Sequence, residues 1–596
     1  MPAAATARTK RTKRWIIRSA DAHSAESTHL AKSLKVSPLL AQTLINRGVT
    51  DVQAGSVFLR PKLTQLIGPE QMPGIEGAVR RIKQAVQQKE KITLYGDYDV
   101  DGITGVAILW QILKLLGADV DYYIPHRIEE GYGLNGEAVR SLAKSGTKLL
   151  ITVDCGITAF DAAALAGQLG LGLIITDHHQ LESDLPQASA IVHPALEKNY
   201  ANQDSAGAMV AFKLAWAVAN EFNPPRLPGG QAGRLEPGLR EFMLNATSLA
   251  AMGTIADIVD LRGENRILTS YGLSALPECR LCGIQALIET AGLAAKELDS
   301  FDIGFRLAPI LNAAGRMGHA RLAVELLTGD NPARAAEIAQ YLKSQNAQRQ
   351  QCERKIFKQA CEMITNLGLD HPDHKSIVLA NPDWHGGVIG VVASRIVDRF
   401  HRPTIIINTA PTENGVAQGS GRSIFSFDLL GAIRACSQHL AGFGGHEMAA
   451  GITIRPEKIE HFATEFETYA AQNLTEDDIS PKLYIDAVAR LSDFRKETVN
   501  ELQLLGPFGR GNPEPIFATK AVRLACPPRK VGSAGEHLQL TITDNVSTIR
   551  CIGFQFANLE KKLLERDCFN VAYQPQINTY NGNNNVEFVL ADIQFE

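Results

Sequence analysis

Several features are scarce in this 596-residue chain, and each scarcity excludes something. No run approaches the roughly 18 consecutive apolar residues that a membrane span needs. The most apolar stretch, 157–176, is broken by Asp161 and Gln168. The N-terminal segment lacks the hydrophobic centre of a secretory signal. Nine cysteines are scattered, and only Cys279-Arg-Leu-Cys282 has close spacing, so neither a disulfide framework nor a zinc ribbon is indicated. Such thiol usage suits a reducing, cytoplasmic setting. Neither charge sign dominates: 60 Lys and Arg face 64 Asp and Glu, for a net charge of −4. The global balance argues against a non-specific coat of nucleic acid but leaves room for a local basic groove. There is no internal repeat and no low-complexity block.

What remains is an ordinary globular composition, with 45% apolar and 21% charged residues. The length predicts several domains. Residues 26–60 have helix-forming content, with Ser37 a candidate cap, and 61–74 is punctuated by Pro and Gly. The basic, acid-free stretch through Arg8, Lys10, Arg11, Lys13 and Arg14 reads as a solvated tail, with a transit peptide or nucleic-acid arm as the alternatives.

From about residue 75, helical and strand patterns alternate. Strands are expected at 91–95, 120–124, 148–153, 172–176 and 190–192, with helices at 75–89, 105–116 and 160–169. Such alternation predicts a mostly parallel sheet covered by helices. A long polar helix is expected over 332–367. A second α/β pattern follows, with strands at 376–380 and 404–407 around a helix over 390–400. After about 478 the pattern is short strands separated by turn signals such as Asp544-Asn545 and Asn581-Gly582, which predicts a small β-barrel. The fold class expected is therefore multidomain α/β with a C-terminal β-barrel.

The acids sit at strand ends. Strand 91–95 is followed by Asp97, Asp99 and Asp101, strand 148–153 by Asp154, and strand 172–176 by Asp177, His178 and His179. Ligands bind at the carboxyl ends of parallel strands. Like charges gathered there require a neutraliser, and carboxylates with imidazole favour a pair of Mg²⁺ or Mn²⁺ ions. Asp257 offers a further acid. Simpler readings stand beside these. Residues 97–102 begin like a calcium loop but lack its downstream acid. Asp154 alone could cap a helix, and two histidines in a turn could lie on the surface. In the second glycine-rich region, Gly419-Ser420-Gly421-Arg422 and Gly444-Gly445-His446 would let backbone approach a phosphate, with Arg422 and Arg316 as clamps. The alternative is tight turns with surface arginines.

Asp177-His178-His179 resembles the signature of the DHH phosphoesterase superfamily, and the accompanying motifs are most similar to its single-strand-specific exonucleases. These motifs run in order: 96–102, 152–157, 176–179, 192–194, 256–257, 311–317, 385–390, 393–395, 419–423, 444–451 and 506–515. The resemblance implies a DHH catalytic domain over 71–330, after a helical segment at 1–70. A connector helix at 331–370, a DHHA1 domain at 371–475 and an oligonucleotide-binding barrel at 476–596 would follow. It also implies two Mn²⁺ or Mg²⁺ ions held by Asp99, Asp101, Asp154, His178 and Asp257, with Asp154 bridging. Asp97 would sit beside them and His179 would contact the scissile phosphate. Arg316, Ser420 and Arg422 would hold DNA near its 5′ end, and Phe508, Arg510, Arg529, Lys530 and Tyr580 are candidates on the barrel. Many superfamily members carry His where this chain has Tyr95, a departure that points away from the small-nucleotide phosphodiesterases.

The implied activity is 5′-to-3′ exonucleolytic release of 5′-mononucleotides from single-stranded DNA, in repair and recombination. The expected partners are single-stranded DNA, a single-strand-binding protein and a helicase, with no membrane and a monomeric state. The competing readings are a hydrolase of very short RNA or cyclic dinucleotides on the same site, and a non-catalytic replication scaffold.

Overall fold

The computed structural model describes residues 13–126, 130–223, 236–294, 296–316, 318–410, 414–578 and 584–595. The basic residues before Lys13, Tyr580 and the Asn581-Gly582 turn signal lie outside these ranges. The tail expectation fails at its described end: Arg14–Ile17 forms strand β1. Helices Ala25–Leu34, Pro38–Asn46 and Val52–Leu59 follow, and the Ser37 hydroxyl caps the second by accepting from the Leu40 amide.

Five parallel strands make the first large sheet: β2 (Ile92–Gly96), β3 (Val120–Tyr123), β4 (Leu149–Val153), β5 (Gly172–Thr176) and β6 (Ala190–Val192), in the order β3-β2-β4-β5-β6. Strands β2 and β4 are buried along their whole length, as a sheet covered on both faces requires. One face packs under the near-continuously apolar helices Val100–Leu115, Gly207–Phe222 and Pro237–Ala256. A smaller cluster around Val139, Leu150 and Ile175 fills the other. The Val100–Leu115 helix starts five residues before its expected Gly105. Asp99 is its cap, accepting from the amides of Asp101 and Gly102, and this places Asp101 inside the first turn.

The Pro332–Asn366 helix is continuous, at about 50 Å long for its 35 residues. Glu353 ties it to the next domain, pairing with Arg349 at 2.7 Å on the same helix and with Arg395 at 2.9 Å across it. That domain is a mixed sheet of β7 (Ile377–Asn381), β8 (Thr404–Asn408), β9 (Ala417–Arg422), β10 (Leu440–Gly445) and β11 (Ala449–Ile454), ordered β10-β11-β9-β8-β7. Helix Gly386–Phe400 begins four residues before the expected Gly390, capped by His385. One expectation is overturned here. Gly419-Ser420-Gly421-Arg422 is not a turn but strand β9, antiparallel to both β8 and β11. Its glycines answer to packing, since a Cβ at Gly419 would sit 2.6 Å from Ile452. Gly444-Gly445 likewise belongs to strand β10.

Beyond it, β12 (Lys482–Ile485) pairs in parallel with β1, and β13 (Ala487–Val488) pairs with β14 (Phe517–Leu524). Strands β15 (Arg529–Val531), β16 (His537–Thr543), β17 (Thr548–Gly553), β18 (Phe569–Asn578) and β19 (Asn585–Gln594) complete the sheet. It runs β13-β14-β18-β19-β17-β16-β15, and an additional β14–β16 pairing joins five of these strands in a ring. The Asp544-Asn545 turn is present between β16 and β17, with Asn545 at φ 69°. Buried Arg266 fastens this unit and the N-terminal helices to the first domain. Its guanidinium donates to the carbonyls of Phe58, Leu505 and Gly506 at 3.0, 2.8 and 2.6 Å.

Candidate metal centre

The register of the first sheet sets Gly96 beside Val153 and Val153 beside Thr176. The residues that follow, Asp97, Asp154 and Asp177, therefore emerge abreast at the carboxyl edge. Their amides continue the ladder, donating to the carbonyls of Val153, Thr176 and Val192 respectively. Asp154 turns sharply there, at φ 64°. Asp97, Asp101, Asp154 and Asp177 are all buried.

Asp101 is anchored by the N-terminus of the Gly207–Phe222 helix. Its two oxygens accept from the Gly207 and Ala208 amides at 2.6 and 2.8 Å, where the helix dipole favours negative charge. Asp257 caps the C-terminus of the Pro237–Ala256 helix and reaches the same cluster. His178 Nε2 faces three carboxylates: Asp154 Oδ1 at 3.1 Å, Asp257 Oδ2 at 3.6 Å and Asp101 Oδ2 at 3.7 Å.

Among the described residues, ligand atoms converge within 4.8 Å of one another in three groups: Asp97, Asp99 and Asp154; Asp101, His178 and Asp257; and Asp154, His178 and His179. The five residues expected as ligands are thus brought together, and Asp154 belongs to two groups. Asp97, expected only alongside, has an oxygen within the same reach. The donor set fits divalent cations. Asp154 Oδ1 and His178 Nε2 are buried without a hydrogen-bond partner. The His178 ring also hydrogen-bonds the Ser205 backbone, and this leaves the Nε2 lone pair for the acidic side.

His179 is held differently. Its Nδ1 lies 2.7 Å from Asp177 Oδ1, and Asp177 also accepts from the amides of Ile157, His178 and His179. Asp177 therefore orients the second histidine. Beneath it, His193 Nε2 donates to the His179 carbonyl at 2.8 Å while Nδ1 accepts from Ala195, which fixes its tautomer. Sequence reasoning missed Tyr132, whose hydroxyl lies 3.2 Å from His179 Nδ1 and 3.3 Å from the Asp154 carbonyl. The signal available was Gly131-Tyr132-Gly133, whose glycines both take positive φ. Tyr95, the departure from the superfamily pattern, lies outside the three groups. Its hydroxyl donates to the Gly133 carbonyl at 2.9 Å and supports the Tyr132 loop.

The cluster perturbs its own protonation. Burial, then the neighbouring charge of Asp99, pushes Asp101 up to about 7. Burial and then Asp101 push Asp257 up to about 9. Asp154 rises well above its ordinary value for the same two reasons. Asp177 falls to about 2: burial opposes this, but the hydrogen bond and charge of His179 outweigh it. His179 rises to about 9, because Asp177 outweighs burial there too. His178 is driven down to about 3 by burial first and the charge of His179 second.

These shifts carry a sign. Between pH 6.5 and about 9 the folded, metal-free chain keeps protons on Asp257 and His179 that the unfolded chain has released. Its unfolding free energy must fall as pH rises through that window. A divalent cation replaces the carboxylate protons, so its stabilising effect grows with pH. Thermal unfolding with and without Mg²⁺ is expected to show a midpoint shift that widens from pH 6.5 to 9. A shift that narrows contradicts the assigned protonation.

The expected phosphate clamps gather at another helix start. Arg316 Nη1 donates to the Gly387 carbonyl at 3.1 Å. Arg422 Nη1 donates to Ser420 Oγ at 3.1 Å, and both side chains lie close under Gly390. The three residues thus meet at the N-terminal turns of the Gly386–Phe400 helix, a natural anion site. Burial, then the charge of Arg422, lowers the pKa of His446 beside this clamp. On the barrel side, Phe508 packs against the core and Lys530 pairs with Glu560 at 2.7 Å. Arg510 is exposed, with Nε 3.2 Å from Asp260. Arg529 stands exposed on β15.

Three family models match in order: the DHH family N-terminal domain at residues 91–238, the DHHA1 domain at 373–472 and the RecJ OB domain at 485–592. The chain is 37% identical to the single-stranded-DNA-specific exonuclease RecJ of Bacillus subtilis, covering 97% of this chain and 70% of that protein. It is 33% identical to the Escherichia coli protein of that name, covering 93% and 96%. The crystal structure of RecJ in complex with Mn²⁺ from Thermus thermophilus superposes with a TM-score of 0.80 at 30% identity, covering 98% of this chain and 80% of that one. A Mg²⁺ complex from the same organism gives 0.76 at 29% identity, covering 98% and 78%. Matched in domain order and along nearly its whole length, the chain belongs to the RecJ family of the DHH phosphoesterases.

Proposed function

We propose that this chain is a single-stranded-DNA-specific exonuclease that hydrolyses phosphodiester bonds from the 5′ end and releases 5′-mononucleotides, using two Mn²⁺ or Mg²⁺ ions. The observation that carries the reading is the convergence of five carboxylates and His178 around two buried atoms that make no hydrogen bond, Asp154 Oδ1 and His178 Nε2. Relatives named as single-stranded-DNA-specific exonucleases support the substrate.

In this reading Asp97, Asp99 and Asp154 would hold one ion, and Asp101, Asp154, His178 and Asp257 would hold the other. Such a pair, when bound, supplies an activated water at neutral pH and stabilises the attacking and leaving oxygens. The chain supplies the rest. His179, fixed by Asp177, would donate a hydrogen bond to a non-bridging phosphate oxygen as charge develops there. Tyr132 limits its rotation. Arg316, Ser420 and Arg422 grip the terminal 5′ phosphate, and that grip sets both direction and product length. The barrel holds the trailing strand through Arg510 and Arg529. The division proposed is 1–70, 71–330, 331–370, 371–475 and 476–596. The same reading sets the chain in repair and recombination in the cytoplasm, as a monomer beside a single-strand-binding protein and a helicase. No helix among the described residues is long and apolar enough to cross a membrane.

The test uses the purified chain with Mn²⁺ or Mg²⁺ on strands labelled at one end. A 5′ label is expected to appear at once as mononucleotide, while a 3′ label shortens progressively, and blunt duplex resists. Equal degradation of duplex and single strand, or loss of a 3′ label first, refutes the reading.

A further inference from the structure

Immediately after Asp257 the chain adopts an unusual conformation. Ile258 has φ 60°, which β-branched residues strongly disfavour, and its side chain is nevertheless 63% exposed. Nearby, Ile303–Leu307 is a turn of π-helix, a geometry concentrated at functional positions. Phe301 and Phe305 flank its start. They are 53% and 69% exposed and stack on each other with centroids 4.6 Å apart and planes at 26°.

Contacts locate these features together. A Cβ at Gly304 would lie 3.9 Å from Ile255, two residues before Asp257. The Ser300 hydroxyl donates to the Phe508 carbonyl at 2.5 Å, and the Leu261 amide donates to the Arg510 carbonyl at 2.9 Å. The segment carrying the phenylalanine pair and the one that follows Ile258 therefore both touch one barrel-side loop, and Ile258 directly follows Asp257 in the chain. Two arginines stand at its rim, each partly exposed and each paired with an acid: Arg306 with Asp302 at 3.1 Å and Arg510 with Asp260 at 3.2 Å. An exposed aromatic pair rimmed by arginines suits an anionic chain with free π-faces better than an apolar protein surface.

We propose that Phe301, Phe305 and Ile258 form a platform on which unpaired nucleobases stack as a strand passes from the barrel to the metal centre, with Arg306 and Arg510 toward its phosphates. The inference rests on the substrate reading above. Paired bases already stacked in a duplex have no free face for such a platform, so it favours single strands before any chemistry occurs.

The test compares the wild-type chain with the double variant Phe301→Ala, Phe305→Ala. Both rings are exposed, so folding is expected to survive. On a long single strand KM is expected to rise on the order of tenfold with kcat within about twofold, and Phe305→Trp is expected to retain wild-type KM. On a strand carrying abasic sites in place of its 5′-proximal nucleotides, wild-type and variant are expected to have equal KM. Fluorescence anisotropy without metal repeats the comparison as binding, so a failure of the catalytic reading leaves this result standing. Unchanged affinity for the intact strand overturns the platform. The same loss on the abasic strand also overturns it and marks the patch as a backbone or protein contact.

Discussion

Asp154→Asn is expected to abolish cleavage, by on the order of a thousandfold or more, equivalent to about 4 kcal/mol of transition-state stabilisation. Asp154 belongs to two of the three ligand groups and presents a buried oxygen with no hydrogen-bond partner. Losing it removes a ligand from both proposed ion sites at once. The metal-free fold should not suffer. Asp154 is buried among Asp97, Asp99, Asp101 and Asp257, which drive its pKa upward, so an uncharged side chain removes repulsion. Asparagine also tolerates the left-handed backbone at this position. The expected pair of results is therefore no detectable release of mononucleotide and an unfolding midpoint, without metal, equal to or above that of the wild type. Residual cleavage within tenfold of wild type is incompatible with a bridging role.

Gly207→Ala should act on the same ligand from outside the cluster. A Cβ at this position would lie 2.6 Å from Asp154 Oδ1 and 2.7 Å from its Cβ and Cγ, closer than real side chains approach. The neighbouring amide of Ala208 and that of Gly207 itself hold Asp101, so a shift of the helix start moves two carboxylates together. Changes beside metal ligands typically cost 10- to 100-fold in affinity, and loss of that order in Mn²⁺ activation is expected, with a matching fall in rate at fixed metal. Alanine is the better helix former, which limits the cost to the fold. An unaltered Mn²⁺ activation curve shows that the helix can retreat without disturbing Asp154.

The contrast between these two residues shows what was legible beforehand. Asp154 could be found because it directly follows a buried parallel strand, whose unbroken apolar run marks its own end. Strands β5 and β6 match their expected limits for that reason, and the acids and histidines after β2, β4 and β5 came with them. Gly207 could not be found. Its role is defined by Asp101 and Asp154, which lie far from it in the chain, and nothing in Ser205-Ala206-Gly207 announces a carboxylate above it. The Val100–Leu115 helix starts five residues before its expected Gly105. In the fold, the Asp99 cap and packing under the Gly207–Phe222 helix set that start. Gly419 and Gly421 failed in the opposite sense. Local rules read paired glycines as a turn, whereas strand neighbours on both sides require small residues in the middle of a sheet. Tyr132 reaches His179 only because Tyr95 and Asn135 hold its loop, a tertiary arrangement with no periodic trace.

In the function proposed above, the edge of the first sheet is a two-ion phosphodiester centre built on Asp154. Anomalous diffraction from crystals of the chain grown with Mn²⁺ tests it most directly. Two manganese peaks are expected, one among Asp97, Asp99 and Asp154 and one among Asp101, Asp154, His178 and Asp257, both lost in Asp154→Asn crystals. A single peak, or manganese bound away from Asp154, contradicts it.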